Sequence, residues 1–345
     1  MKIKNNYSKK KIFTFSLYAV FIIQLSSFVY AANTIKQTIN IKAGWNSIFL
    51  EVQPVDSNPD ILFKNTPINL VLTYFPKNSS VQFIESPDEI KWKQEGWHRW
   101  MPSDKPESVI NNLYSINDNQ AYIIFSTHNY TLEINGVSTI RKHKWQPDSF
   151  NLIGFYVDPI APPTFTQYFE NSKAHSELKI YHLNNNNWTK IENPDAYNIE
   201  SGKAYWVYCN GNSNYTGPIE VILPGTFDYL NYIDSNTELA FEIINHTSNP
   251  LSFTIQPVVN ESGEDMVPLS IVSYTLKKTK IIEPFISFTP TDALEPGQKL
   301  IFRLAVRRND IIKDEVTSVL KLIDDLGNRF YIPVFAEKIN KDDQN

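Results

Sequence analysis

The densest group of chemically capable side chains in this 345-residue sequence is Trp92, Trp97 and Trp100, with His98 and Arg99 beside them. Exposed indoles with polar neighbours are how a β surface holds a sugar: the aromatic face takes the C–H edge, and the neighbours bond the hydroxyls. Trp92, His98, Arg99 and Trp100 are therefore the candidate ligand-binding residues. Trp97 reads as a core residue, because a second stretch of the chain carries an equivalent, Trp188. The other reactive types do not converge. His128, His143, His175, His182 and His246 are scattered, and His175 and His182 are too far apart for a helical metal pair. There is no G-x-S-x-G elbow, H-E-x-x-H, phosphate-binding glycine loop or C-x-x-C. Acidic groups at Glu261–Asp265, Asp324-Asp325 and Asp342-Asp343 lack the alternating ligands and central glycine of a calcium loop. The lone Cys209 alternates with Tyr205 and Val207, which places it on a buried strand face with no motif for a base nearby. No catalytic residue, metal ligand or cofactor site is expected.

The N-terminus carries an address. Lys2, Lys4, Lys9, Lys10 and Lys11 precede an apolar stretch from Ile12 to Val29, which leads into Val29-Tyr30-Ala31-Ala32. Basic, apolar and small-residue parts in that order make a secretory signal, cleaved after Ala31. An acylated anchor needs a cysteine at the cleavage point, and Cys209 is the only cysteine. No later apolar run is long enough to span a bilayer. The expected mature protein is extracytoplasmic, in the periplasm or secreted, without a membrane span. The whole chain has 32 Lys+Arg and 37 Asp+Glu, and the leader holds five of the lysines and no acid. The mature chain is left at about −10, which argues against nucleic acid or an anionic membrane as partner.

The elements that would position any site are strands. Aromatic residues make up 13% of the chain and prolines number 21, and the apolar residues mostly alternate. An internal correspondence organises them. Trp45-Asn46-Ser47-Ile48 through Val52-Gln53-Pro54 matches Phe150-Asn151-Leu152-Ile153 through Val157-Asp158-Pro159. Each copy then shows a short helix signal, Asn58 to Asn65 with Pro59 behind the cap, and Thr164 to Asn171 with capping-box spacing to Gln167. Tyr114-Ser115-Ile116 precedes Ala121-Tyr122 as Tyr197-Asn198-Ile199 precedes Ala204-Tyr205. Trp45, Asn46, Phe150, Asn151 and Trp206 are expected to be structural, since a large aromatic serves at either of the first positions.

From about Leu230 the pattern becomes one of hairpins with an apolar and a polar face, as in an antiparallel sandwich. The predicted class is all-β. Its parts are a signal peptide (1–31), two related small β modules with one short helix each (34–140 and 143–225), an immunoglobulin-like β-sandwich (228–338) and a polar tail (339–345).

The third unit resembles bacterial immunoglobulin-like modules that open "apolar-x-apolar-x-Asn-x-Ser-x-x-Pro-Leu", matched by Phe241 to Leu251, and later turn at Glu295-Pro296-Gly297-Gln298. The first two resemble duplicated Gly-Trp-Asn β modules of bacterial secreted and surface proteins. Ala43-Gly44-Trp45-Asn46 carries the opening motif and Gly202-Lys203-Ala204-Tyr205-Trp206-Val207 the closing one. Copy two has Ser149-Phe150 for Gly-Trp, and copy one has Asn119-Gln120 for Gly-Lys. The resemblance implies a fold and brings no activity with it. The favoured expectation is a non-catalytic structural or adhesion-type protein with envelope or secreted protein partners. One alternative is a carbohydrate-binding protein that holds a glycan on the first module. The other is a hydrolase with an unrecognised carboxylate pair on a β scaffold.

Overall fold

The computed structural model describes residues 34–75, 96–140, 142–233, 236–259, 266–275 and 277–338. The leader, Trp92 and the tail 339–345 lie outside the described residues. The first module contains β1 (Thr34–Ile41), β2 (Gly44–Leu50), β3 (Val52–Pro54), α1 (Pro59–Leu62), β4 (Ile68–Tyr74), β5 (Trp97–Trp100), β6 (Gln120–Ser126) and β7 (Tyr130–Ser138). Its strands form two sheets, β1-β7-β3 and β2-β6-β4-β5. Ile39, Ile48, Val71, Ile124 and Leu132 fill the space between them. The second module contains β8 (Ser149–Gly154), α2 (Phe165–Phe169), β9 (Ile180–Asn184), β10 (Asn187–Lys190) and β11 (Ala204–Cys209). Its sheet runs β8-β11-β9-β10, position for position the order β2-β6-β4-β5.

Each matched residue has a local task. Asn46 donates to the carbonyls of Lys42 (2.8 Å) and Gly44 (3.0 Å) and accepts from the Lys42 N–H at 2.9 Å. Asn151 does the same with Gln146 (3.2 and 2.8 Å) and Ser149 (3.1 Å). The side chain thus stands in for a backbone partner where the chain turns into its strand. The Tyr122 hydroxyl accepts the Asn117 N–H at 2.7 Å, and the Tyr205 hydroxyl accepts the Glu200 N–H at 3.0 Å. Ile116 and Ile199 donate their N–H groups to Ser57 (2.8 Å) and Pro163 (2.9 Å), the residues just before the two helix caps. Asn58 caps α1 by accepting from Asp60 at 2.9 Å, and Thr164 forms a full capping box with Gln167 on α2. Asn65, at φ 60°, takes the left-handed conformation soon after α1.

The third unit is a sandwich of β12 (Ile219–Ile222), β13 (Leu230–Tyr232), β14 (Glu238–Asn245), β15 (Phe253–Pro257), β16 (Leu269–Tyr274), β17 (Lys280–Pro284), β18 (Lys299–Val306), β19 (Glu315–Asp324) and β20 (Arg329–Glu337). Its sheets run β12-β14-β18-β16-β17 and β13-β20-β19-β15. β13 pairs with β20 in parallel, while the other pairs are antiparallel. Phe241, Ile243, Phe302, Leu320 and Ile332 lie in the shared core. Asn245 is fully buried and donates to the carbonyls of Asn249 (2.8 Å) and Leu294 (2.7 Å), which is what fixes the opening hairpin. One expected boundary moves. β12 falls inside the stretch 143–225 assigned to the second module, yet it pairs with β14, so the sandwich takes residues from Ile219 onward rather than from 228.

The three units are joined by specific contacts. The outward faces of the two four-stranded sheets pack on each other. Trp206 is buried there, with its ring centroid 6.4 Å from that of Trp97 and 6.0 Å from that of Trp188. Phe49 lies over Gly154 so closely that a Cβ at Gly154 would collide with the Phe49 Cβ and Cγ. The β19–β20 turn docks on the second module: Arg329 donates its N–H to Tyr156 (3.0 Å) and Gly327 accepts from Asp158 (2.7 Å). Beside it, Lys142 of the connecting segment and His246 (2.7 Å) both bond Glu220. The His246 hydrogen bond, helped by Lys142, holds the Glu220 carboxyl down at about 2 against an ordinary 4.5. A carboxyl depressed on folding stabilises the native state above its unfolded pKa, and that contribution is lost as pH falls through the folded one. Stability measured by denaturant midpoint should therefore fall between about pH 4.5 and pH 2, and Glu220→Gln should flatten that fall. An unchanged slope in the variant would remove Glu220 from the acid response.

Candidate functional site

The three units meet around a cleft of about 880 Å³, within the range of ligand sites. One wall is β1 and the start of β2. The opposite wall is the β9–β10 turn with residues 197–203, and Arg329 and Tyr331 of the sandwich close the end. Glu51 forms the floor. It is 2% exposed; its Oε1 accepts the Ser201 hydroxyl at 2.8 Å and its Oε2 the Arg329 guanidinium. Burial raises the Glu51 carboxyl above its usual range, against the pull of Arg329 and then of the Ser201 hydroxyl. Arg329 also lies over the Tyr331 ring, 5.1 Å from its centroid. One residue from each unit thus meets in a single charge cluster.

A second polar chain lines the opposite wall. The Tyr197 hydroxyl bonds His182 Nδ1 at 2.9 Å and Glu200 at 3.3 Å, and Lys203 bonds Glu200 at 2.6 Å. Burial lowers the His182 pKa, with Lys203 adding to the effect. Burial and then the Glu200 charge raise the Tyr197 hydroxyl. Both carboxylates that line the cleft are engaged: Glu51 through each oxygen, and Glu200 by Lys203 and Tyr197. Lys36, Lys42, Lys203 and Arg329 line the cleft with two carboxylates, and Lys36 also pairs with Glu133 at 3.4 Å, which leaves a small local cationic excess in a chain of net charge −5.

The sequence-predicted ligand residues lie elsewhere. Trp100, expected at the surface, is 3% exposed, and this expectation is corrected. Its ring packs on Phe63 at 5.3 Å between centroids, and its indole N–H donates to Asp60 at 2.7 Å. His98 Nδ1 is 3.0 Å from the Asn112 carbonyl, and Arg99 Nε donates to Ile110 at 3.3 Å, so both side chains are tied to the loop that follows. Trp206 is fully buried and Asn151 is buried, while Asn46 and Phe150 are half-buried. Trp45, expected as a core plug, is half-buried: it stacks edge-on to Phe125 at 5.3 Å and also lines the cleft. Sequence reasoning missed Glu51 and Arg329. The signal for Glu51 was present, a lone carboxylate inside the apolar run Ile48-Phe49-Leu50-Glu51-Val52. Arg329 sits in a different unit, and nothing local points to its partner.

Among the described residues, no group of three or more His, Cys, Asp or Glu is placed to hold a metal, and no helix is long and apolar enough to cross a membrane. Burial pushes the Cys209 thiol up to about 11, with the Asp148 charge adding to it.

This geometry defines an all-β protein with an immunoglobulin-like sandwich. No protein-family model and no curated protein matches the chain. Several solved structures match about a third of it. The PapD-like domain 7 of human CEP192 is 9% identical over 36% of this chain and 86% of that one, with a TM-score of 0.21. The YadV chaperone is 11% identical over 36% of this chain and 53% of that one, with a TM-score of 0.24. A FixG-related protein from Vibrio parahaemolyticus is 16% identical over 36% of this chain and 94% of that one, with a TM-score of 0.20. Likeness at this level carries neither activity nor partner to this chain.

Proposed function

We propose that the protein is a non-catalytic interaction protein that works outside the cytoplasm, in the envelope or secretome of a bacterium, and holds a partner protein at the cleft between its units. The observation that supports this is the clamp of Glu51, Ser201 and Arg329, which joins all three units and commits the one buried carboxylate of the cleft to structure. The carbohydrate reading loses Trp100 to the core, and the hydrolase reading finds the cleft carboxylates already engaged. The two small modules are read as descendants of one, since residues at matching places make matching bonds.

A photo-crosslinking residue at Lys42, on the cleft wall, tests the proposal in cells. The expected result is an adduct with a second envelope or secreted protein, on a chain whose N-terminal mass begins at Ala32. Retention of the purified protein on an insoluble polysaccharide without any protein adduct would replace this reading with the carbohydrate one. Hydrolysis of a chromogenic glycoside, lost on Glu200→Gln, would replace it with an enzyme.

A further inference from the structure

We propose that β1 is an open docking edge and that an extended, acidic peptide segment of a partner adds to it as a further strand within the cleft. This deepens the interaction reading above and rests on it.

The backbone shows which groups are free. Val55 donates its N–H to Asn135 at 3.1 Å, so residues 135 and 137 of β7 turn their backbone groups toward β3. Gly136, Ile134 and Leu132 must then face β1, where they pair with Ile35, Gln37 and Ile39. The remaining residues, Lys36, Thr38 and Asn40, point their N–H and C=O groups away from β7. They are exposed, they line the cleft, and their backbone groups bond no described residue. An exposed row of this kind is a template for another strand.

Several other edges are obstructed, at least in part. On β17 the bonds Phe285 to Leu269 and Thr275 to Thr279 leave Lys280, Ile282 and Pro284 facing outward, and the proline has no N–H to offer. The same parity puts Pro54 of β3 and Pro257 of β15 at outward-facing positions. The edge of β2 is taken by module two: Trp45 donates to Asn186 at 3.0 Å and Phe49 to Gly202 at 2.8 Å. The edge of β5 is covered where Asn112 and Leu113 donate to the Arg99 carbonyl (3.1 and 2.9 Å). β1, at eight residues, is the longest edge strand among the described residues and carries no proline. Charge selects the occupant. Of the four cations that line the cleft, Arg329 and Lys203 pair with its two carboxylates and Lys36 pairs with Glu133 of β7 at 3.4 Å, so Lys42 and the small net positive charge of the lining are what favour an acidic strand over a basic one.

The test uses the purified chain and capped synthetic heptapeptides of alternating valine and glutamate, or valine and lysine, followed by calorimetry. The glutamate peptide should bind at least about tenfold tighter than the lysine peptide. N-methylating its alternate amides should abolish binding for one parity and spare it for the other, because only one edge of an added strand bonds β1. Thr38→Pro removes an outward N–H that bonds nothing inside the protein. The melting temperature should therefore hold while binding of the glutamate peptide falls about tenfold or more. Equal binding of both peptides, indifference to methylation parity, or no binding at millimolar peptide would each overturn the proposal. If the Lys42 crosslink still forms in Thr38→Pro, the interaction reading stands and the β1 edge does not. If Thr38→Pro fails to fold, the methylated peptides on the wild-type chain decide alone.

Discussion

Glu51→Ala should destabilise the folded chain by about 3–5 kcal/mol at neutral pH. The Glu51 carboxylate is 2% exposed and the Arg329 side chain 14%. Truncating the acid leaves a guanidinium in a low-dielectric site, facing Ser201 and the Tyr331 ring, with only the weaker influence of Asp158 to set against it. The loss arises less from the missing attraction than from the stranded charge. A second substitution separates these. Arg329→Met in the Glu51→Ala background removes the stranded charge and keeps an apolar stem, so much of the stability should return. A denaturant series on the two single variants and the double gives the coupling directly. A cost below about 1 kcal/mol for Glu51→Ala would mean that the cluster is solvated and does not clamp the units.

Gly154→Val should be the most damaging change at the contact between the two small modules. The added carbons would collide with the Phe49 Cβ and Cγ and approach the Lys203 carbonyl at 2.7 Å, and backbone cannot yield as a flexible side chain can. Overpacking of this sort costs about 1–3 kcal/mol and sometimes more. The register allows a sharper experiment. Phe49 lies four residues after Trp45, and Gly154 lies four after Phe150, so the two occupy corresponding places in their sheets. Exchanging them, Phe49→Gly with Gly154→Phe, moves the ring to the other side of the same contact. The exchanged chain should be markedly more stable than one carrying Gly154→Phe alone. If the exchange brings no recovery, the contact is not matched in the way the strand order implies.

The all-β class, both caps and the paired Asn and Tyr positions were legible because each depends on residues within a few places of one another. The failure at Trp100 has a definite cause. Trp97 pairs with Tyr74 and Trp100 with Val71, so the two indoles point to opposite faces of β5. Only one of those faces is open to solvent in a free half-buried strand. Here one face looks into the first module's own core and the other onto the second module, so neither indole is free. The cleft was illegible for a related reason. Its floor joins Glu51, Ser201 and Arg329, which no local pattern connects, and the open edge of β1 is set by which neighbours it lacks.

The face-to-face packing around Trp206 also bears on what counts as an autonomous piece of this protein. Taken alone, either small module would present a sheet face that includes Leu72, Tyr74 and Ile123, or Trp188 and Trp206, to water. An apolar patch of that kind marks an association surface and invites aggregation. Each small module has a core of its own, but the sheet face around Trp206 is covered only when the two are together. The smallest fragment that should stay dispersed on its own is therefore the pair: a truncation between the two modules would uncover that face.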